Sequence, residues 1–170
     1  SLRLIREMHE RLLAGVRGGE QTPGEFRRSQ NWIGPPGCNL MDATFVPPPV
    51  SEMEHALYSL EQYIHLQSRL PSLIRLALIH YQFEAIHPFL DGNGRIGRLL
   101  VTLLLCTEGV LPQPLLYLSA FFERHRNDYY DHLLAVSQRG QWTNWIKFFL
   151  RAVTVQSRDA IERSDRLLTL

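Results

Sequence analysis

Apolar positions recur along this chain mostly at helical spacing. Leu2, Ile5, Met8, Leu12 and Leu13 fall on one face of a helix whose opposite face carries arginine and glutamate. Glycine-rich composition then predicts a loop from Gly15 to Gly24. Residues 31–49 are rich in proline and glycine, and Ala43-Thr44-Phe45-Val46 precedes Pro47-Pro48-Pro49. That stretch is not helix, and it reads as an irregular excursion with a short hairpin, the only candidate for β-structure. Ser51 and Glu54 have capping-box spacing, which predicts a helix burying Met53, Leu57, Leu60 and Ile64. Pro71 opens the next helix at its first turn.

From Leu73 to Ile86 that helix is apolar on nearly every face, the pattern of a central, buried element. Pro88 excludes the α region for His87, so the helix ends near Ile86. A further helix restarts around Gly94, runs through the apolar stretch Leu99 to Leu105 and stops at Gly109. Beyond Pro112 and Pro114, two more helical stretches span roughly Ser119 to Gln138 and Trp142 to Leu168. Helices joined by short loops predict an all-α bundle around a buried helix pair, with a small β-hairpin at its edge.

Composition narrows the picture only slightly. A chain of 170 residues, 45% hydrophobic and 21% charged, has the size and make-up of one soluble domain with a real core. A net charge of +1 supplies no bulk attraction for nucleic acid. Cys38 and Cys106 alone make neither a disulfide framework nor a zinc site. The apolar run Leu99 to Cys106, interrupted by Thr102, is far too short to span a membrane. No secretory leader pattern opens the chain, so a cytoplasmic location is expected. The chain begins inside an amphipathic pattern, and the expectation is a domain excised from a longer protein.

Candidate chemistry is concentrated in residues 87 to 98, His87-Pro88-Phe89-Leu90-Asp91-Gly92-Asn93-Gly94-Arg95-Ile96-Gly97-Arg98. The free N–H groups at the start of a helix here form an anion site, and the helix dipole adds roughly 0.3–2 kcal/mol for a negative charge. Gly92 and Gly94 lack Cβ atoms, so a phosphate can approach the backbone. Asn93 between them tolerates left-handed geometry and can add a side-chain donor. No Lys-Ser/Thr follows the glycines, so this is not a Walker loop. The match of Gly92 to Gly97 with G-x-G-x-x-G is a decoy, because the dinucleotide fingerprint requires a preceding strand and a βαβ unit.

Arg95 and Arg98, three apart, share a helix face and can donate to a polyphosphate. Asp91 is the one acid of the motif. Mg²⁺ takes few protein ligands beside substrate phosphates, so one carboxylate suffices, and a helix-capping role is compatible with it. His87 can accept a proton when neutral, and Pro88 fixes its backbone at the mouth of the loop. Phe89 reads as the loop's core anchor. The other histidines, His9 included, carry no expectation of function.

This stretch matches the signature HPFx[DE]GNGRxxR at every defined position, and by it the chain resembles the Fic family. The resemblance implies a Fic fold of about six to eight helices and transfer of AMP from ATP to a target hydroxyl. Carried over residue by residue, it implies His87 as general base and Asp91 as Mg²⁺ ligand. It implies Gly92, Asn93 and Gly94 as an anion hole, with Arg95 and Arg98 holding the phosphate chain. Gln30-Asn31-Trp32-Ile33-Gly34 and Phe45-Val46-Pro47-Pro48 resemble the borders of the family's flap, implying that Ile33, Gly34, Thr44, Phe45 and Val46 dock the target's backbone by strand addition. Tyr129-Tyr130 resembles the family's paired tyrosines, with Tyr130 at the adenosine end; Ser137 stands where many relatives carry an asparagine supporting the adenine pocket.

The resemblance covers roughly residues 25–150 of a single domain spanning 1–170, with a C-terminal helical extension over 151–170. Many relatives carry an inhibitory helix with the pattern [ST]xxxE[GN]. Here only Ser119 to Glu123 fits its first part, and Arg124 follows. The expectation is that an inhibitory helix, or an antitoxin, comes from outside this chain. Fic domains also often self-associate, which makes a homodimer a candidate state. Phosphoryl transfer is disfavoured because relatives that perform it carry lysine in place of Gly94. Transfer of UMP or phosphocholine, removal of AMP, and a non-catalytic nucleotide-binding module are the remaining alternatives. The intact His87 and Asp91 count against the last.

Overall fold

Helical periodicity accounts for most of the architecture. The computed structural model describes residues 1–15 and 22–168, so most of the loop expected between Gly15 and Gly24 lies outside the described residues, as do 169–170 of the C-terminal extension. Among the described residues there are seven α-helices and no strand: α1 (Leu2–Leu13), α2 (Val50–His65), α3 (Ser72–Ile86), α4 (Asn93–Thr107), α5 (Leu118–Arg124), α6 (Arg126–Arg139) and α7 (Trp142–Leu168). None is long and apolar enough to cross a membrane. The helices fall into two compact units, residues 1–67 with 81–97 and residues 68–80 with 98–170.

In the first unit α1 packs on α2. Ile5 and Leu13 of α1 and Met53, Leu57 and Leu60 of α2 are buried, and so are Phe83, Ile86, Phe89 and Ile96. Ile64 is only partly buried. The capping box is not formed: α2 starts two residues earlier, with Pro49 rather than Ser51 at its N-cap and no side-chain cap. Ser51 then lies inside the first turn, where its hydroxyl cannot reach back to cap. The expected hairpin reduces to one antiparallel bridge, in which Ile33 and Phe45 exchange N–H···O bonds of 2.9 and 3.0 Å. Prolines at 35, 36 and 47–49 remove the donors that would extend a ladder.

In the second unit α7 packs on α5 and α6. Trp145, Phe121, Phe122 and Phe149 are buried together, and the Trp145 indole N–H donates to the Ala77 carbonyl at 2.9 Å. His80 is a core histidine, with Nε2 3.0 Å from the Tyr129 hydroxyl. The single helix expected over Ser119–Gln138 is broken at His125, whose φ/ψ of −114°/42° leaves the α region. In a continuous helix, residues seven apart are about 10.5 Å apart along the axis. The break instead stacks Phe122 on Tyr129 with ring centroids 4.6 Å apart.

Two termini were predicted and are observed. α3 ends at Ile86. At the end of α4, Gly109 takes φ +71°, and the N–H groups of Gly109 and Val110 bond back to Cys106 and Leu105, a Schellman closure that requires a left-handed residue.

Candidate active site

The link between α3 and α4 turns sharply because two consecutive constraints act on it. Pro88 denies His87 the right-handed helical region, and His87 adopts φ +48°, left-handed rather than extended. The backbone N–H of His87 still closes the last turn of α3 on Phe83. Histidine is among the residues that tolerate this region, at some strain. Gly92 supplies the second left-handed residue, at φ +83°. A Cβ at Gly92 would also meet the His9 ring at 3.4 Å.

Asn93 does not take the left-handed geometry expected of it. It is the first residue of α4, 2% exposed, and its side chain bonds both sides of Phe89: Oδ1 accepts from the Phe89 N–H at 2.9 Å and Nδ2 donates to its carbonyl at 2.8 Å. The side chain is thus a staple for the loop, and the backbone N–H is what Asn93 can offer to an anion. The first helical bond of α4 runs from Ile96 to the Gly92 carbonyl. The N–H groups of Asn93, Gly94 and Arg95 precede it and have no acceptor within the helix. Phe89 is fully buried, face to face with His9 at 3.7 Å. Phe89→Ala is expected to cost about 3–5 kcal/mol of stability, a large-to-small change in a packed core, measurable by denaturant unfolding.

His87 is oriented for proton acceptance. Its Nδ1 lies 3.2 Å from the Glu84 carbonyl, which can only accept, so Nδ1 carries the proton and Nε2 of the neutral ring holds a lone pair. Burial pushes its pKa down to about 4, opposed by the bond to Glu84; the Arg27 charge lowers it further and Asp91 raises it. Two consequences follow, both with a definite sign. The acid limb of kcat/KM is expected near pH 4 rather than 6.5, because the ring remains a base down to that pH. Between pH 6.5 and about 4 the unfolded chain binds a proton at position 87 that the folded chain refuses, so stability is lost as pH falls. A pH–rate profile and unfolding at pH 7 and 5 check the two.

Asp91 is exposed, and its carboxylate is held from two sides. Oδ1 accepts from the Gly92 N–H at 2.7 Å and Oδ2 pairs with Arg95 at 3.2 Å. Both partners are about half exposed, so the ion pair is weak and can open. A single exposed carboxylate beside free N–H groups suits Mg²⁺, which keeps waters and binds largely through substrate phosphate. Among the described residues no cluster of three or more His, Cys, Asp or Glu could cage a metal.

In the second unit Arg98 is well covered, with Nε donating to the Ser119 hydroxyl at 2.8 Å and Nη2 3.9 Å from Glu123. Ser119 and Glu123, the partial match to the inhibitory pattern, therefore contact the arginine of this chain's own motif. Tyr130 is exposed, under the Arg126 guanidinium at 5.7 Å, while Tyr129 is buried. Of the flap residues, Ile33 and Phe45 are bridged and partly buried, whereas Gly34, Thr44 and Val46 are exposed.

Two residues outside the motif hold the loop: His9, which carried no expectation of function, and Arg27, which no local pattern singles out. His9 is fully buried, with Nε2 3.0 Å from the Asp91 carbonyl and Nδ1 accepting from the Gly24 N–H at 2.9 Å. Burial lowers its pKa, opposed by the bond to Asp91; Arg95 lowers it further and Asp91's charge raises it. A signal existed: His9 interrupts the buried stripe Ile5, His9, Leu13, where an apolar residue is expected. Arg27 is 2% exposed, and its guanidinium donates to the carbonyls of His87, Ser29 and Pro48. Its backbone N–H donates to Pro88 at 2.8 Å.

A family model described as Fic/DOC family matches residues 1–105. Over 146 residues the chain is 33% identical to "Protein adenylyltransferase Fic" of Drosophila yakuba, covering 85% of this chain and 26% of that protein. The protein of the same name from Culex quinquefasciatus is 33% identical over 150 residues, covering 87% of this chain and 26% of its own length. This chain thus spans about a quarter of these curated relatives. Among solved structures, a Fic family protein from Desulfovibrio desulfuricans G20 superposes with a TM-score of 0.80 at 26% identity, covering 96% of this chain and 48% of that one. Fic-1 of C. elegans, residues 134–508, superposes with a TM-score of 0.72 at 24% identity, covering 98% and 44%, which supports the fold alone.

Proposed function

The chain belongs to the Fic/DOC family, and from that premise we propose that it is a protein adenylyltransferase, moving AMP from Mg·ATP to a Ser, Thr or Tyr hydroxyl of another protein. One observation carries this reading: the Glu84 carbonyl takes the Nδ1–H of His87, leaving Nε2 unprotonated at the start of the loop whose far end opens α4 with the amides of residues 93–95. A site for nucleotide binding alone has no use for a base kept neutral in this way.

In the proposed reaction the target hydroxyl gives its proton to His87 Nε2 as its oxygen attacks the α-phosphorus. The α-phosphorus–oxygen bond to pyrophosphate breaks, and pyrophosphate leaves. The N–H groups of Asn93, Gly94 and Arg95, beside Gly92, receive charge developing on the phosphate oxygens without having to reorganise. Arg95 and Arg98 hold the phosphate chain as charge-assisted donors. Asp91 would hold Mg²⁺, which when bound neutralises phosphate charge and fixes its orientation. Ile33, Gly34, Thr44, Phe45 and Val46 would receive the target's backbone beside the one β-bridge, where exposed residues flank paired ones. Tyr130 would contact the adenosine end. Residues 25–150 would form the catalytic core.

The test is incubation of the protein with ATP labelled at either the α- or the γ-phosphate, with lysate as the source of targets. Label entering protein from the α-position only is the expected result. Label from the γ-position would mean phosphoryl transfer, and label from neither would leave a binding module.

A further inference from the structure

We infer that His9, on α1, is a positioning residue for the Asp91 carboxylate, acting through a single peptide plane. The inference rests on the reading of residues 87–98 as the nucleotide site and goes beyond it, since His9 lies outside the motif.

The chain of contacts is short and each link is fixed. The Gly24 N–H donates to Nδ1 of His9 at 2.9 Å, so Nδ1 is the acceptor nitrogen and Nε2 carries the hydrogen. Nε2–H then donates to the Asp91 carbonyl at 3.0 Å. Gly24 is itself held, because its carbonyl accepts from Arg6 Nε at 2.7 Å. The ring cannot tilt, being stacked on Phe89 at 3.7 Å with planes 4° apart. Fixing the Asp91 carbonyl fixes the plane of the Asp91–Gly92 peptide, and in a trans peptide the following N–H points the opposite way. That N–H is the Gly92 donor that holds Asp91 Oδ1 at 2.7 Å. Turning this plane would therefore swing the carboxylate's anchor away. Gly92 contributes by bringing its backbone against the ring, a Cβ there already touching the imidazole at 3.4 Å, and by taking a φ of +83° that L side chains rarely adopt.

The ring offers no other use for this geometry. It is fully buried and both nitrogens are engaged, so His9 cannot reach a substrate. A purely structural filler would need its shape and not its donor.

Two substitutions separate these roles. His9→Phe keeps the ring and the stack but removes both hydrogen bonds. His9→Gln places an amide N–H donor where Nε2 stood. With the whole chain, the Mg²⁺ concentration giving half-maximal α-phosphate transfer is expected to rise about 10–100-fold in His9→Phe, the usual consequence of losing a ligand's outer partner. It should return toward the wild-type value in His9→Gln. Independently of activity, hydrogen exchange at the Gly92 amide in the nucleotide-free protein should accelerate in His9→Phe and be restored in His9→Gln. Should His9→Phe not fold, His9→Asn, whose amide oxygen can accept from Gly24 but whose shorter side chain does not reach the Asp91 carbonyl, is expected to show the same two losses. A folded variant lacking the bond to the Asp91 carbonyl, with wild-type Mg²⁺ dependence and wild-type Gly92 protection, would overturn the inference. Absence of transfer by the wild-type protein would instead sink the functional reading, and Gly92 exchange would still decide the role of His9.

Discussion

His87→Ala is expected to lower the proposed AMP transfer by about 10²–10⁴-fold, the range that a positioned general base contributes, with nucleotide binding staying close to wild type. The asymmetry comes from the location of the ring. Its Nδ1 faces the Glu84 carbonyl, the amides proposed to face the phosphates belong to residues 93–95, and removing the imidazole takes no donor from them. His87→Asn is the informative companion. It retains a side-chain group near the Glu84 carbonyl and loses the basic nitrogen, so it should be as inactive as alanine. Transfer rates from α-labelled ATP, beside nucleotide titration followed by fluorescence, check both statements. Full activity in either variant would remove His87 from the reaction.

Asp91→Ala is expected to lower transfer by at least about 10²-fold, the rate equivalent of the several kcal/mol that a bound divalent ion supplies, and to abolish the response to added Mg²⁺. Two effects combine. The exposed oxygens that suit a hard cation disappear, and Arg95 loses the carboxylate it pairs with at 3.2 Å. Asp91→Asn separates charge from anchoring, because an amide oxygen can still accept from the Gly92 N–H while the charge is gone. If charge is what matters, the asparagine variant should be nearly as inactive as alanine. An unchanged metal titration in both variants would show that Asp91 holds no metal.

Features determined by near neighbours in the chain were legible in the sequence. Pro88 acts on the residue beside it, so the end of α3 at Ile86 followed directly. The stop of α4 depends on Gly109 alone taking a left-handed turn. The start of α7 at Trp142 also agrees with the sequence reading. Features that depend on distant partners were not legible. His9 meets Asp91 across 82 residues and Arg27 meets His87 across 60, and no local pattern encodes such a pairing. The break at His125 has no proline or glycine to announce it; it arises where Phe122 and Tyr129 stack, a tertiary gain that overrides helical continuity. Asn93 was misread because its composition-level preference for left-handed backbone yielded to two hydrogen bonds with Phe89.

In the proposed site a neutral imidazole and the free amides of a helix start converge on one phosphate. The most direct measurement is a crystal structure of the protein with Mg²⁺ and a non-hydrolysable ATP analogue. The expected structure has phosphate oxygens within hydrogen-bonding distance of the N–H groups of residues 93–95, Asp91 on the metal, and His87 Nε2 facing the α-phosphorus with Nδ1 still on Glu84. Phosphates bound elsewhere, or Nε2 turned onto a protein acceptor with the nucleotide in place, would contradict it.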